Sequence, residues 1–371
     1  MYRYLNGIVS LFVIICVSVD VAADESPSKA GISVAVITNA GGAHLGGYFS
    51  GLASTTEVST VVLSDPDGTA EALARKTLGD KLTAVYATSG DLWEKEKPTM
   101  ALITMEARLA PPEIEAALNA GCHVMAEKPA ALNAEDFEKL VVLAEAKDRH
   151  LMLALANRLN PDIIKARQLL ADGVIGTVYN TQLTLVKDQT RLTNKGYQAS
   201  WFADKDRAGG GHLSWLSIHW IDMAMFVTDM AITDVAGFTA NVGGQPVNSE
   251  DAVALSLRFE NGSLGTLSSG YFLDGGLQSL LKVWGSKGWL EIDSDARGQV
   301  RWYSTANGEG KTGVFDSTGG QGSYTAWVRA CVRASAGLEK APITGRECLQ
   351  VLKVVYGGYD AANQGTTVSV K

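Results

Sequence analysis

SVAVITNAGGAHLGGYFSGLASTTEVSTVVLSD, residues 33–65, is the most informative part of the chain. Its first five residues form an apolar, β-branched run, which predicts a buried strand of a parallel sheet. A glycine-rich turn and a helical stretch follow, and residues 58–63 predict a second strand. This order of a strand, a glycine turn, a helix and a strand is typical of the first unit of a nucleotide-binding Rossmann domain.

The alternation of strands and helices continues to about residue 156. Further strands are predicted at 101–104, 123–126 and 151–155, and helices at 112–120 and 135–146. Strands that alternate with helices at this spacing imply right-handed βαβ units and a parallel sheet. The predicted fold class is therefore α/β, with a Rossmann-like doubly wound sheet that binds its ligand at the carboxyl ends of the strands.

Two features of this half bear on a dinucleotide. Asp65 follows the second strand, where an acid can accept hydrogen bonds from an adenosine ribose and repel a 2′-phosphate, which favours NAD and leaves NADP open. The alternative is an Asp that only forms the turn before Pro66. In the glycine turn, Thr38, Asn39 and Gly41 are candidate cofactor contacts. The turn lacks the G-x-G-x-x-G spacing that brings backbone N–H groups to a pyrophosphate, so alone it does not establish the site.

The composition narrows the class of protein. The chain has 371 residues, 46% of them apolar and 19% charged, and a net charge of −8. At about 150 residues per domain this length suggests two domains. The acidic balance argues against a nucleic-acid partner, which needs a basic surface. No Cys/His spacing resembles a zinc site, so no metal is expected.

The first 23 residues predict a secretory signal peptide, and residues 24–30 a linker. Arg3 precedes an apolar run from Ile8 to Val19, and Val21 and Ala23 fit the positions before a cleavage site. The alternative is an uncleaved anchor, but the run is shorter than the roughly 20 residues that span a bilayer. The expectation is export to the periplasm or beyond, with no membrane span in the mature chain.

The segment AGCHVMAEKPAALNAEDFEKLVVLAEAK, residues 120–147, resembles the signature of the glucose–fructose oxidoreductase and inositol dehydrogenase family, Gfo/Idh/MocA. Other segments match that family's motifs in the same order over about residues 31–371. These are Asn157-Arg158 with Pro161, Gly173–Gly176, Trp201 with Gly209-Gly210-Gly211, His219 with Asp222, Glu260-Asn261-Gly262, Gly285–Gly288, and the tail from Ile343 to Val368.

The resemblance implies a Rossmann domain at 31–156 and a second α/β domain at 157–371, built on a large open, mostly antiparallel sheet. Strand-like runs at 178–186, 252–259, 265–271 and 280–284 suit such a sheet. A tail helix at 345–363 is expected to pack back on the first domain. By the same resemblance, the substrate is a small-molecule carbohydrate, the cofactor is NAD, and the large sheet mediates a homo-oligomer.

Lys128 is the first candidate for the chemistry. It follows the strand at 123–126, at the ligand-binding edge, and a partly desolvated lysine can relay a proton. The alternative is a surface lysine before Pro129. By resemblance, Lys128 contacts both the substrate hydroxyl and the cofactor, and Glu127 lies beside it as a further cofactor contact.

His219 is the second catalytic candidate, by its place in the family motif; the alternative is a buried structural histidine. On a regular helix over 213–227, His212, Trp215, His219 and Asp222 share an arc of about 80°. Asp222 can then orient the His219 ring. Trp215 stands where the family usually has an aspartate, so a Lys–Asp–His relay is incomplete, although an indole can stack on a sugar ring.

The weaker substrate candidates are Arg158, Arg191 and Trp201. An arginine can clamp a carboxylate or a hydroxyl group of a substrate.

Three functions are consistent with these features. The first is an exported NAD(P)-dependent oxidoreductase that transfers a hydride between a carbinol carbon of a sugar and tightly bound nicotinamide; an NAD-dependent glycosidase is a variant of it. The second is a carbohydrate-binding relative without redox activity. The third is a structural assembly module.

Overall fold

The computed structural model describes residues 31–293, 298–317 and 324–371. The predicted signal peptide and linker, residues 1–30, lie outside these ranges. Among the described residues, no helix combines the length and the apolar character that crossing a bilayer requires.

The first sheet confirms the predicted Rossmann-like fold. Its strands lie in the order β3-β2-β1-β4-β5-β6, and all its pairings are parallel. Their bounds are β1 Ile32–Thr38, β2 Val58–Ser64, β3 Leu82–Tyr86, β4 Met100–Thr104, β5 His123–Ala126 and β6 Leu151–Leu153. β1 pairs with β2 on one side and with β4 on the other, so the strand order reverses beside β1 and ligands bind at its carboxyl end.

Helices connect these strands and cover the sheet. They are α1 Leu45–Ser54, α2 Glu71–Leu78, α3 Ser89–Lys95, α4 Ala110–Asn119 and α5 Ala134–Ala146. The sequence prediction missed β3, because its burial is weaker than that of the other strands: only Leu82 is fully buried. An edge strand with one neighbour lacks the continuous apolar run of a central parallel strand.

The second sheet is large and mostly antiparallel, as the fold prediction stated. Its order is β14-β13-β12-β11-β7-β10-β9-β8-β15. In the described part of this second sheet, β7 and β10 form the only parallel pair. The bounds are β7 Val178–Asp188, β8 Ile232–Ala240, β9 Ala252–Phe259, β10 Leu264–Leu273, β11 Leu277–Gly285, β12 Gly288–Asp293, β13 Gln299–Ser304, β14 Lys311–Asp316 and β15 Val368–Ser369. Along β9, buried and exposed residues alternate, so one face packs on the core and the other faces solvent.

The remaining helices lie around this sheet. They are α6 Pro161–Ala171, α7 Thr190–Thr193, α8 Lys195–Gln198, α9 Lys205–Ala208, α10 Ile218–Thr228, α11 Tyr324–Ser335 and α12 Gly345–Gln364. A capping box between Thr344 and Glu347 starts α12. The tail helix α12 contacts elements of both domains: Arg346 pairs with Glu145 of α5, and Gln350 Nε2 donates to the Ile232 carbonyl of β8 at 2.8 Å.

The helix predicted at 213–227 is not one regular α-helix. A turn of π-helix, Leu213–Ser217, precedes α10. A π turn contains more than 3.6 residues. It therefore rotates the side chains that follow it, relative to those that precede it, away from their positions on a regular α-helix. The predicted common arc of His212, Trp215, His219 and Asp222 is therefore wrong.

Candidate functional site

Glu127 anchors the carboxyl edge of the first sheet. It follows β5, and its buried carboxylate accepts from His44 Nδ1 at 2.8 Å, from the Tyr48 hydroxyl, and from the Lys128 amide at 3.1 Å. Burial alone raises the pKa of Glu127, but the hydrogen bond and charge of His44 and the charge of Lys128 outweigh it and lower the pKa. Glu127 was predicted to contact the cofactor. In the structure its carboxylate accepts hydrogen bonds from protein groups.

Lys128 is buried at the same edge, with 2% of its surface exposed. Its Nζ donates to the Trp215 carbonyl at 2.5 Å and lies 3.1 Å from the centroid of the Trp215 ring. Burial lowers the Lys128 pKa to about 7, against the opposing charge of Glu127 and with a further lowering from Arg191. Near neutral pH this amine therefore divides between its charged and neutral forms, as a group that carries a proton to and from a substrate must.

An aromatic cap, which we define as Trp201, Phe202 and Trp215, covers Lys128 and the glycine turn. Its ring centroids are separated by 4.0 to 5.5 Å. Trp201 Nε1 donates to the Gly41 carbonyl at 3.0 Å, which ties the cap to the turn. Trp215 is 8% exposed, with Lys128 and His44 against its ring. Trp215, predicted to stack on a sugar ring, and Trp201, a weaker substrate candidate, both have their rings packed against protein groups.

His219 lies close to Lys128. Burial, and then the charge of Lys128, lower the His219 pKa to about 3, and the charges of Glu127 and His44 also reach it. The ring is therefore neutral at physiological pH. Its Nδ1 is buried and has no hydrogen-bond partner among the described residues. A neutral imidazole with a spare nitrogen beside an amine can position a hydroxyl group by a hydrogen bond.

His212 lies on the other side of the π turn and is fully buried. Its Nδ1 meets the hydroxyls of Ser269 at 3.0 Å and Ser217 at 3.2 Å, and its ring meets Tyr271 edge-on at 4.6 Å. Nε2 is buried without a partner in the described part of the chain. Burial lowers the His212 pKa to about 3, so this ring is also neutral.

Asp222 does not orient His219, which corrects the sequence prediction. Both Asp222 oxygens accept from Arg158, with a closest contact of 2.7 Å between Arg158 Nη2 and Asp222 Oδ1. Arg158 also pairs with Glu347 at the start of α12, at 2.5 Å. Asp222 and Arg158 are buried and satisfy each other, so neither offers a free group to a substrate. This ion pair instead joins α10 to the loop after β6 and to α12.

Asp65 fits the ribose of a dinucleotide. Its Oδ2 accepts from the amides of Ala70 and Glu71 at the start of α2, at 2.8 and 2.9 Å. Its Oδ1 is buried with no partner among the described residues, at the carboxyl end of β2. Asn39 Oδ1, in the glycine turn, is likewise buried without a partner. Buried acceptors usually have donors, and ribose hydroxyls would supply them here.

The turn between β1 and α1 is tightly closed. The Thr38 hydroxyl, predicted to contact the cofactor, donates to the Thr104 carbonyl at 2.8 Å and so holds the backbone of the turn. Gly41 has φ of 87°, and a Cβ added at Gly42 would lie 2.1 Å from Thr38 Oγ1, so both positions require glycine. The Ala40 amide donates to Asp67 at 2.7 Å. This amide is therefore already paired, whereas α1 begins without a side-chain cap, so its first amides would be the ones to hold a pyrophosphate.

Sequence reasoning missed several residues of this site. His44 and Tyr48 hold Glu127, and Tyr324 of α11 lies 3.1 Å from His44 Nε2 and stacks on its ring. His44 lies in the glycine turn, where its φ is 58°. A histidine in such a turn is unusual, and this could have marked it as a candidate site residue. Tyr324 had none, because 280 residues separate it from His44 along the chain.

Two family models match the chain. The oxidoreductase family with an NAD-binding Rossmann fold matches residues 33–155, and the GFO/IDH/MocA C-terminal domain matches residues 163–291. A D-glucoside 3-dehydrogenase of Escherichia coli (strain K12) is 28% identical over 181 residues, which cover 45% of this chain and 50% of that relative. The matched part thus spans about half of that enzyme's length.

Solved structures show the same fold. An oxidoreductase domain protein from Kribbella flavida has a TM-score of 0.81 at 22% identity, over 92% of this chain and 100% of its own. Levoglucosan dehydrogenase in complex with NADH has a TM-score of 0.80 at 18% identity, over 91% and 99%. The family models, the fold and the site at the carboxyl edge agree, and the chain belongs to the Gfo/Idh/MocA family of oxidoreductases with an NAD-binding Rossmann fold.

Proposed function

We propose that this protein is an NAD-dependent oxidoreductase that oxidises a hydroxyl group of a sugar or sugar derivative. The observation that carries the proposal is the pairing of a buried Lys128 with a neutral His219 at the carboxyl edge of the Rossmann sheet. Asp65 offers a free acceptor at the same edge, where a ribose would lie. The Escherichia coli relative is named as a D-glucoside dehydrogenase and a structural neighbour as a levoglucosan dehydrogenase, which supports a carbohydrate substrate.

The residues divide the chemistry between them. Bound NAD supplies the acceptor for the hydride of the carbinol carbon. Neutral Lys128 takes the proton of the substrate hydroxyl, and neutral His219 holds that hydroxyl in place by a hydrogen bond. Because the centroid of the Trp215 ring lies 3.1 Å from Lys128 Nζ, a substrate has to displace this ring to reach the amine. Opening of the aromatic cap is therefore part of substrate binding.

Export and assembly complete the proposal. Residues 1–23 carry the pattern of a secretory signal, so the protein is proposed to work outside the cytoplasm. Free NAD is scarce there, which favours a tightly held cofactor that is reduced and reoxidised in place. The solvent-facing side of the second sheet carries exposed apolar residues, among them Phe238 at 74% exposure, and this side is proposed to form a homo-oligomer.

The direct test is to purify the full chain from its producing cells, look for nucleotide in an acid extract, and titrate the protein with NAD. NADH formation is then followed with a panel of sugars. NAD in the extract or tight binding on titration, with NADH formation from at least one sugar, is the expected result. A protein that neither contains nor binds NAD is not the proposed enzyme.

Asp65→Asn is expected to weaken NAD binding by about 10- to 100-fold, the worth of hydrogen bonds to a charged acceptor. The asparagine oxygen can still accept from the Ala70 and Glu71 amides, so the start of α2 is preserved, but its amide nitrogen replaces the free acceptor. Calorimetric titration measures the effect. Asp80→Asn, an exposed change of the same charge, is the control. Equal affinities of the two variants would contradict the ribose role.

The rate of sugar oxidation is expected to rise with pH through about 7. The base is the neutral form of Lys128, which predominates above its pKa of about 7. His219, with its pKa of about 3, stays neutral over the same pH range, so it adds no second change of rate to the pH profile. A profile of kcat/KM between about pH 5 and pH 9 measures this. A profile that is flat through neutrality excludes Lys128 as the base.

A second candidate function is a carbohydrate-binding protein without redox activity. Two contacts favour it: Asp67 occupies the Ala40 amide in the glycine turn, and Trp215 covers Lys128. Sugar binding that is unchanged by NAD, without NADH formation, would select this function over the first.

A further inference from the structure

Arg191 forms the centre of a second cluster beside the site. It lies in α7, half-buried, and its Nη1 donates to the Tyr271 hydroxyl at 3.3 Å. Its guanidinium lies 5.8 Å from the Tyr197 ring centroid and 6.0 Å from that of Tyr271. Within the described ranges no carboxylate forms an ion pair with it. Two rings and one phenol hold the guanidinium in place and leave most of its five donors for another partner.

Two sets of ring contacts connect this cluster to the neighbourhood of the catalytic candidates. Tyr271 meets the His212 ring edge-on at 4.6 Å. Tyr197 stacks on Phe202 of the aromatic cap, at 6.5 Å, and Phe202 in turn packs on Trp215 at 4.5 Å. The charge of Arg191 also reaches Lys128 and His212, since it lowers the pKa of both.

The guanidinium of Arg191 has no ion-pair partner in the described part of the chain, although the whole protein is acidic, with a net charge of −8. The nearby carboxylates are held by other groups. Glu127 accepts from His44, and Glu250 accepts from the Gly211 and Leu213 amides at 2.8 Å. A guanidinium without an ion-pair partner attracts an anion.

We propose that the substrate is an acidic sugar whose carboxylate is bound by Arg191 and Tyr271 while its reacting hydroxyl meets Lys128 and His219. The planar fork of an arginine matches a carboxylate through two parallel hydrogen bonds, and the Tyr271 hydroxyl can donate a third. This assignment rests on the proposed function and narrows its substrate class to sugar acids such as hexuronates and aldonates.

The test compares acids with their neutral parents on the protein saturated with NAD. D-glucuronate, D-galacturonate and D-gluconate are set against D-glucose and D-galactose, with NADH formation and saturation-transfer NMR as independent readouts. The acids are expected to exceed the neutral sugars in kcat/KM by at least about 10-fold. Arg191→Gln is expected to lower kcat/KM for the acids by on the order of 10- to 100-fold and to lower that for neutral sugars far less, because neutral sugars lose only the effect of Arg191 on the Lys128 pKa.

Two variants sharpen the result. Arg191→Lys keeps the charge and loses the fork, so it should fall between the wild type and Arg191→Gln. Lys195→Gln removes an exposed charge four positions further along and should behave as the wild type. Neutral sugars oxidised as well as acids would overturn the inference and leave the proposed function standing. If no sugar gives NADH, the proposed function fails, and NMR decides: binding of the acids alone supports the carboxylate site, while equal or absent binding overturns it.

Discussion

Replacing Lys128 with methionine is expected to lower the rate of NADH formation by about 10² to 10⁴, the usual contribution of a positioned acid–base group. Methionine keeps an unbranched side chain against the Trp215 ring and removes only the amine, so the loss reports on proton transfer rather than on packing. The side chain should stay packed against the Trp215 ring, because a sulfur–aromatic contact can replace the cation–π contact of the lysine.

The control for this prediction is Lys147→Met, an exposed lysine at the end of α5. Each variant is compared with the wild type in NAD affinity and in thermal unfolding. A Lys128→Met protein that folds, binds NAD and turns over sugar within a few-fold of the wild type would remove Lys128 from the mechanism. A loss of activity accompanied by an equal loss of folded protein would show that Lys128 is structural.

Asp222→Ala is expected to destabilise the protein by about 3–5 kcal/mol, toward the lower end of that range. The substitution leaves the Arg158 guanidinium buried without its main partner, and a buried unpaired charge is costly. Glu347 remains beside Arg158 and still pairs with its charge, so the loss of stability falls toward the lower end of the range. The free energy of unfolding from urea titration measures the effect.

The matched control is Asp229→Asn, which removes the charge from an exposed ion pair with Arg167 of α6, just after the end of α10. Asparagine tolerates the left-handed backbone at this position, where φ is 54°, so the change should cost less than about 1 kcal/mol. The double variant Arg158→Met/Asp222→Leu should recover most of the stability lost by Asp222→Ala, because no charge is then left buried. If Asp222→Ala costs no more than Asp229→Asn, the ion pair does not hold α10 in place.

The two catalytic candidates illustrate what a sequence pattern can and cannot reach. Lys128 was found because it directly follows a strand, and the carboxyl end of a parallel strand is fixed by local alternation of strands and helices. His219 was found by resemblance, and the structure brings it within electrostatic reach of Lys128. Its assigned partner was wrong, because the regular helix assumed for residues 213–227 contains a π turn, and apolar periodicity does not reveal where one occurs.

The residues that surround these two groups came from distant parts of the chain. Tyr324 reaches His44 across 280 positions, and Trp201 reaches Gly41 across 160. Arg158 has its partners at Asp222 and Glu347, 64 and 189 positions away. No spacing in the sequence encodes such pairs, since each is set by how elements far apart along the chain pack together in the fold.

The order of apolar and turn residues was therefore enough to specify the parallel sheet and to place Asp65 and Lys128 at its ligand edge, whereas the large antiparallel sheet was predicted from the family resemblance. Those features depend on neighbours within a few residues, where periodicity and turn chemistry act directly. Tertiary packing settled the rest: which carboxylate meets Arg158, which ring covers Lys128, and which tyrosine holds Arg191. Charge pairing and ring contacts act over a few ångströms of space, and only the folded chain brings such distant positions that close.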